Sequence, residues 1–141
     1  MRSEILSLKT LVVQADLSEM DKIRQFLKES LRELDITEKD YFTLELALVE
    51  MCVNVIRYAY PEVRGEISLV VRRGRGNISI EIRDSGVAFD PRSVPRPDID
   101  EIVQAGRKGG LGIYLARKLM DEFRYRREDA QNVLTLVKKI P

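Results

Sequence analysis

The residues best suited to chemistry begin with Glu50 and Asn54, four positions apart in a mostly apolar run. If that run is helical, both side chains project from one face about one turn apart. A carboxylate can orient or deprotonate a nucleophile, and an amide oxygen can coordinate Mg²⁺. The pair would suit phosphoryl transfer. Taken alone, it is explained at least as well by a structural role, with Glu50 paired to an arginine and Asn54 capping the backbone.

A second candidate lies where an alternating run ends in Asp84, with Gly86 and Phe89 following. A carboxylate at a strand end can accept the exocyclic amine of adenine, and Gly86 would let the backbone approach the base closely. The competing interpretation is an ordinary Asp-Ser-Gly turn, which is common in proteins.

A third candidate is a glycine-rich helix start, preceded by two basic residues: Arg107, Lys108, Gly109, Gly110, Leu111 and Gly112. Unpaired amides at a helix start form a natural phosphate site. The alternative is a flexible entry into a helix with a solvated basic pair. No Gly-Lys dipeptide exists, so a P-loop is excluded. The glycines follow a loop and not a first strand, so the dinucleotide-binding fingerprint is excluded as well.

The composition excludes several classes of partner and of catalytic group. The chain has 141 residues, with 24 basic and 23 acidic side chains and a net charge of +1. This length predicts one domain over residues 1–141. The balanced charge gives no strong field to recruit nucleic acid or an anionic membrane. Histidine is absent, so a histidine base, metal ligand or phosphoacceptor within this chain is excluded.

The expected location is the cytoplasm. Cys52 is the only cysteine, so no internal disulfide can form, which fits a reducing compartment. We find no apolar run of about 18 residues and no signal-peptide pattern, so a membrane partner is not expected.

Apolar spacing predicts the elements that position these residues. A strand is expected at 5–13, and a helix from Ser18, with Asp21 three residues on, to near Asp35. A second helix, apolar on nearly all faces, should run from Thr37 to about Tyr58. Further on we expect a hairpin of strands 67–71 and 78–82, a short helical turn at 99–104, a helix at 113–121, and strands at 123–127 and 133–139. The order predicts an α+β fold, a two-layer sandwich with helices on a mixed sheet.

Taken together, the acid-amide helix, the Asp-x-Gly strand end and the glycine-rich helix start resemble the GHKL ATPases over roughly residues 45–139. The resemblance implies the Bergerat fold, with helices on one face of a mixed, mostly antiparallel sheet. It implies ATP and Mg²⁺ as cofactors and residues 87–108 as a lid. It also implies that Asp84, Gly86 and Phe89 contact the adenine end, and that Gly110 and Gly112 form the second glycine box.

Within that class, residues 109–125, GGLGIYLARKLMDEFRY, are similar to the anti-sigma-factor serine kinases. Three positions depart from that family. In Val87-Ala88-Phe89, many relatives carry another glycine before the phenylalanine. Tyr58 stands where the family usually has a histidine, and Asn132 stands where a threonine commonly supports the adenine-binding aspartate. Asn132 could substitute for that threonine.

This resemblance implies transfer of the ATP γ-phosphate to a serine of a STAS-type anti-anti-sigma partner, and sequestration of a sigma factor. Glu50 would be the base, Asn54 the magnesium ligand and Asp84 the adenine reader, with Arg107 and Lys108 stabilising charge from the lid. A homodimer is also implied. Two alternatives stay open: a nucleotide-regulated binding module without kinase activity, and a detached ATPase domain of the histidine-kinase type.

Overall fold

The computed structural model describes residues 5–62, 64–94 and 111–141, which form a five-stranded sheet with helices packed on one face. The strands are β1 (Ile5–Gln14), β2 (Glu66–Gly74), β3 (Asn77–Asp84), β4 (Glu122–Glu128) and β5 (Gln131–Lys139). Their order is β1-β2-β3-β5-β4. The helices are α1 (Met20–Ser30), α2 (Glu38–Asn54) and α3 (Leu111–Leu119). The two-layer α+β sandwich is confirmed, and all four described strand pairings are antiparallel.

The observed helix starts agree only in part with those predicted from the sequence. Thr37 caps α2 as predicted, accepting a hydrogen bond from the Asp40 amide at 3.0 Å. Ser18 does not cap the first helix. Asp16 accepts the Ser18 amide at 2.9 Å and begins a 3₁₀ turn, so that α1 starts only at Met20. Ser18 therefore lies inside the 3₁₀ turn Leu17–Glu19 and does not occupy the position before α1.

The carboxyl end of α2 has a special geometry. Residues Val55–Ala59 continue the helix as one π turn, a local widening that is frequent at functional sites. The chain then turns, and the Tyr60 hydroxyl accepts a hydrogen bond from the Ser85 amide at 2.7 Å. The same hydroxyl donates to the Glu66 carbonyl at 2.8 Å. These bonds connect the end of the α2 segment to the end of β3, where Asp84 lies.

The core lies between the helices and the inward face of the sheet. Alternation along β2 and β3 sends one set of side chains inward, and their largest fully buried members include Ile67, Leu69, Ile80 and Ile82. Leu44 and Leu48 of α2 meet them and are also fully buried. The expectation of a helix buried on nearly all sides is wrong for Phe42, which is 61% exposed, because α2 is covered by the sheet on one side only.

We expect Leu48→Ala to lower the free energy of unfolding by about 2–5 kcal/mol, because it removes buried methyl groups and leaves a cavity. Phe42→Ala on the same helix is the matched control, and its cost should be about 0.5 kcal/mol or less, as for other exposed sites. Urea unfolding followed by circular dichroism measures both. Equal losses in the two variants would contradict the packing described for α2.

Candidate functional site

The predicted acid-amide pair lies on one face of α2. Both side chains are half-buried, and the Asn54 amide nitrogen donates a hydrogen bond to the Glu50 carbonyl at 3.0 Å. This bond fixes the Asn54 side chain so that Oδ1 is turned away from the helix backbone. An oxygen held in this way is a suitable magnesium ligand, since Mg²⁺ prefers hard oxygen donors and keeps several waters.

Glu50 lies against the first turn of α3. A Cβ atom built on Gly112 would overlap the Glu50 carboxylate, including Oε2. Glycine at this position therefore lets the amino-terminal turn of α3 approach the carboxylate side by side. The structure brings together two of the three predicted motifs at this contact, since Gly112 belongs to the glycine-rich helix start and Glu50 to the acid-amide pair.

Asp84, the last residue of β3, is 3% exposed. Its Oδ1 atom accepts hydrogen bonds from the Gly86 amide at 2.9 Å and from the Asn132 amide nitrogen at 2.8 Å. Burial raises the pKa of the Asp84 carboxyl above its ordinary value, against the lowering effect of these two bonds and of Arg127. Both bonds go to Oδ1, so Oδ2 is the oxygen available to a ligand.

Asn54 and Asp84 line one cavity between α2 and the sheet. Its other described walls include Phe89 and Asn132, together with Met51, Val55, Ala59, Ile82, Pro91, Tyr125 and Leu134. The volume is about 20 Å³, enough for a single water. Among the described lining residues the predicted Glu50 and Gly86 are absent, so Asn54 is the link between the cavity and the Glu50 carboxylate.

The Gly86 backbone approaches a different group from the one that the sequence predicted, which was the adenine base. A Cβ there would overlap the carbonyl of Ala59, at the end of the π turn. The Val87 amide also donates to this carbonyl at 2.8 Å. The close approach is thus between two protein backbones. On its other side Gly86 lines a separate cleft of about 850 Å³, with Arg64, Arg83 and Arg127 among the lining residues.

Phe89 and Tyr58 form a stacked pair, with ring centroids 5.3 Å apart and planes at 25°. The residue that replaces the usual histidine therefore covers the outer side of Phe89. Tyr125 is a cavity residue that sequence reasoning missed. The available signal was the alternation of Phe123 and Tyr125 along β4, which places both on the inward face.

The expected lid has a well-defined beginning. Residues Pro91–Ser93 form a 3₁₀ turn capped by Asp90, whose carboxylate also pairs with Arg92 at 2.9 Å. Arg92 stacks over Tyr125 at 5.7 Å. The other predicted lid and phosphate residues, Arg107, Lys108, Gly109 and Gly110, and the helical turn at 99–104 lie outside the described residues. Leu111 is the first residue of α3.

Several surface arginines have carboxylate or carbonyl partners within the chain. Arg72 faces Glu81 at 3.7 Å, and Arg126 faces Glu128 at 3.1 Å. Arg127 donates to the Gly86 carbonyl at 2.9 Å. No helix in the described part of the chain is long and apolar enough to span a membrane.

Comparison with known proteins agrees with this geometry. Residues 13–138 match the family model of the histidine kinase-like ATPase domain. The chain is 32% identical over 99 residues to the serine-protein kinase RsbW of Bacillus thuringiensis (strain Al Hakam), a match over 67% of this chain and 62% of that protein. It is 34% identical over 99 residues to the RsbW of Bacillus cereus (strain AH820). The chain thus matches about 62% of the length of these curated relatives.

Two solved structures share the fold. The RsbU and RsbW domains of Rv1364c from Mycobacterium tuberculosis superpose with a TM-score of 0.67 at 18% identity, over 95% of this chain and 32% of that one. A chain of the SiaB-SiaC complex from Pseudomonas aeruginosa superposes with a TM-score of 0.66 at 17% identity, over 94% of this chain and 89% of that one. Both matches extend along nearly the whole sheet and its helices.

The raised pKa of Asp84 predicts a pH dependence of stability. The folded chain holds this proton more tightly than the unfolded chain, whose Asp84 titrates near the ordinary value of 3.8. Its contribution to stability is therefore fully present below that value and is lost as pH rises through the folded pKa. Asparagine does not titrate, so only the native chain loses this contribution as pH rises. The free energy of unfolding of Asp84→Asn, relative to that of the native chain, should therefore increase from about pH 4 to about pH 7.

Urea unfolding of both proteins at each pH measures the difference. Carboxyls with lowered pKa, such as Asp90 and Asp121, change stability in the opposite sense but are common to both proteins and cancel. A difference that stays constant or shrinks with pH would contradict the burial of an ionisable Asp84.

Proposed function

Since the chain belongs to the histidine kinase-like ATPase domain family, we propose that it binds ATP and transfers the γ-phosphate to a protein serine. The observation that carries the proposal is the buried Asp84 carboxylate, which has one oxygen occupied by protein donors and shares a cavity with Asn54. A buried carboxylate with a raised pKa in a concave site is typical of a binding or catalytic group. The RsbW relatives are named serine-protein kinases, which supports this reaction.

In the proposed complex, Asp84 Oδ2 accepts the exocyclic amine of adenine. The cavity of about 20 Å³ is too small for a purine, so the wall formed by Phe89 and Pro91 must move outward when the base enters. The triphosphate then extends along α2 toward Asn54 and the start of α3, where the amides near Gly112, with Gly109 and Gly110 before it, face the phosphates.

Magnesium would neutralise charge on the β- and γ-phosphates, with Asn54 Oδ1 as its protein ligand. A single protein oxygen is compatible with Mg²⁺, which commonly takes its remaining ligands from phosphates and water. The described residues contain no cluster of three or more acidic, cysteine or histidine side chains that could hold a metal without the nucleotide.

The proposed transfer step uses Glu50 as the base. Its carboxylate takes the proton of the incoming serine hydroxyl, and the serine oxygen forms a bond to the γ-phosphorus. The bond between that phosphorus and the β–γ bridging oxygen breaks, and ADP leaves with the electron pair. Arg107 and Lys108 are proposed to stabilise charge from the lid.

We propose a STAS-domain anti-anti-sigma protein as the phosphate acceptor and a sigma factor as the second partner. The support is the similarity to RsbW and the fold shared with a chain of the SiaB-SiaC complex. A homodimer in the cytoplasm is proposed from the family resemblance alone.

ATP binding tests the pocket first. In calorimetry with Mg-ATP, Asp84→Asn should weaken binding by about 100-fold or more, since the variant presents the exocyclic amine with a donor where an acceptor is needed and leaves a polar group unpaired. Asp21→Asn, the same change at an exposed carboxylate on α1 outside the cavity lining, is the matched control and should bind as the native chain does. Equal affinity of Asp84→Asn and the native chain would exclude Asp84 as the adenine reader.

Phosphate transfer to a partner protein tests the role of Glu50 as the base. With labelled ATP and a STAS-domain protein, Glu50→Gln should lower the initial rate of serine labelling by about 10²–10⁴-fold while ATP affinity stays near native. Glu45→Gln, the same change elsewhere on α2, should keep the native rate. Labelling that survives Glu50→Gln would refute Glu50 as base, and ATP binding without label on any partner would favour the nucleotide-regulated binding module.

A further inference from the structure

Asn132 is the most completely bonded polar side chain at the site. It is 5% exposed and lies on β5 directly across from Asp84 on β3. Its amide nitrogen donates to Asp84 Oδ1 and to the Val87 carbonyl, each at 2.8 Å. Its Oδ1 atom accepts the Phe89 amide at 3.2 Å and the Tyr125 hydroxyl at 2.5 Å. Two donor protons and two lone pairs are all that an asparagine amide offers, so its capacity is filled.

The orientation of this amide is fixed by its neighbours. The Asp84 carboxylate and the Val87 carbonyl are acceptors only, so the nitrogen of Asn132 must face them. The Phe89 amide is a donor only, so the oxygen must face it. If the amide were flipped, its oxygen would face the acceptors of Asp84 and Val87, and its nitrogen would face the Phe89 amide, which is a donor. The surroundings therefore admit one arrangement.

These bonds hold the backbone at the beginning of the expected lid. Val87 is bonded on both sides, its amide to the Ala59 carbonyl at 2.8 Å and its carbonyl to Asn132. Two residues later the Phe89 amide is bonded to the same Asn132 side chain. The backbone at 87–89 is thus tied to the π turn after α2 and to the carboxylate that ends β3.

We propose that Asn132 is a positioning residue of the nucleotide site, which joins the base-reading carboxylate of Asp84 to the backbone at 87–89 so that both keep one fixed geometry. The inference rests on the proposed function, because it gives Asp84 its role toward adenine. In this arrangement the backbone of Phe89 stays in place while its ring shifts to admit the base.

A threonine at 132 separates this role from simple support of Asp84. An asparagine amide has its donor and its acceptor on two separate atoms, whereas a threonine has one oxygen with one proton to donate. In Asn132→Thr, a hydroxyl that donates to Asp84 therefore cannot also donate to Val87, and it no longer places a separate acceptor at the Phe89 amide. We expect hydrogen exchange of the Phe89 amide, measured by NMR without nucleotide, to accelerate about 10-fold or more, and the ATP dissociation constant to rise about 10-fold. Asn77→Thr, at the opposite end of β3 from Asp84, is the matched control and should change neither.

Asp84→Asn distinguishes a failure of the inference about Asn132 from a failure of the proposed function. It should weaken ATP binding by about 100-fold or more but leave the Phe89 amide protected, since the bond from Phe89 to Asn132 does not involve the carboxylate. If the native chain binds no ATP, the proposed function fails and the exchange data still decide the role of Asn132. Phe89 exchange that changes less than about twofold in Asn132→Thr would overturn the inference.

A measurement on the unaltered chain covers the case in which Asn132→Thr does not fold. Both side-chain amide protons of Asn132 should exchange with solvent much more slowly than those of an exposed asparagine, because each is donated to a buried acceptor. The Phe89 backbone amide should be protected as well. Exchange of the Asn132 side chain at the rate of an exposed amide would overturn the inference.

Discussion

Burial of the Asp84 carboxylate is the constraint on which the rest of the site depends. An acid that is 3% exposed at a strand end is unfavourable unless donors compensate it. The Gly86 amide and the Asn132 side chain supply them, both to the same oxygen. The second oxygen keeps its acceptor capacity, and burial raises the pKa of the carboxyl. A feature that lowers stability in the free chain is thus the feature best suited to bind a ligand.

Two close contacts, each made possible by a glycine, position the other elements of the site. The π turn Val55–Ala59 brings the end of the α2 segment to the backbone of Gly86, and the absence of a side chain there makes the approach possible. Gly112 does the same for the contact between α3 and Glu50. The site therefore extends along α2, with Glu50 at the contact with α3, and with Asn54 one turn on, at the cavity that contains Asp84.

Much of the fold was predictable from the sequence, because apolar periodicity reports which face of an element is buried. The strands and the described helices were all predicted, with boundaries off by a few residues. The two errors have different causes. A local bond from the Ser18 amide to Asp16 begins a 3₁₀ turn ahead of the first helix, and Phe42 stays exposed because the sheet covers only one side of its largely apolar helix. For the site, the pairing of Asp84 with Asn132 was foreseen as a substitution for threonine. The bonds from Asn132 to residues 87 and 89 depend on three separate segments, which spacing along the chain does not reveal.

The measurement that tests the central claim most directly is a set of intermolecular NOEs between the adenine protons of bound Mg-ATP and methyl groups of the selectively labelled chain. The account predicts NOEs from adenine H2 to the methyls of Ile82 and Leu134, which line the cavity beside Asp84. It predicts none to Val70 or Val133, whose side chains lie on the opposite face of the sheet from Ile82 and Leu134. Adenine contacts confined to that opposite face would contradict the placement of the nucleotide.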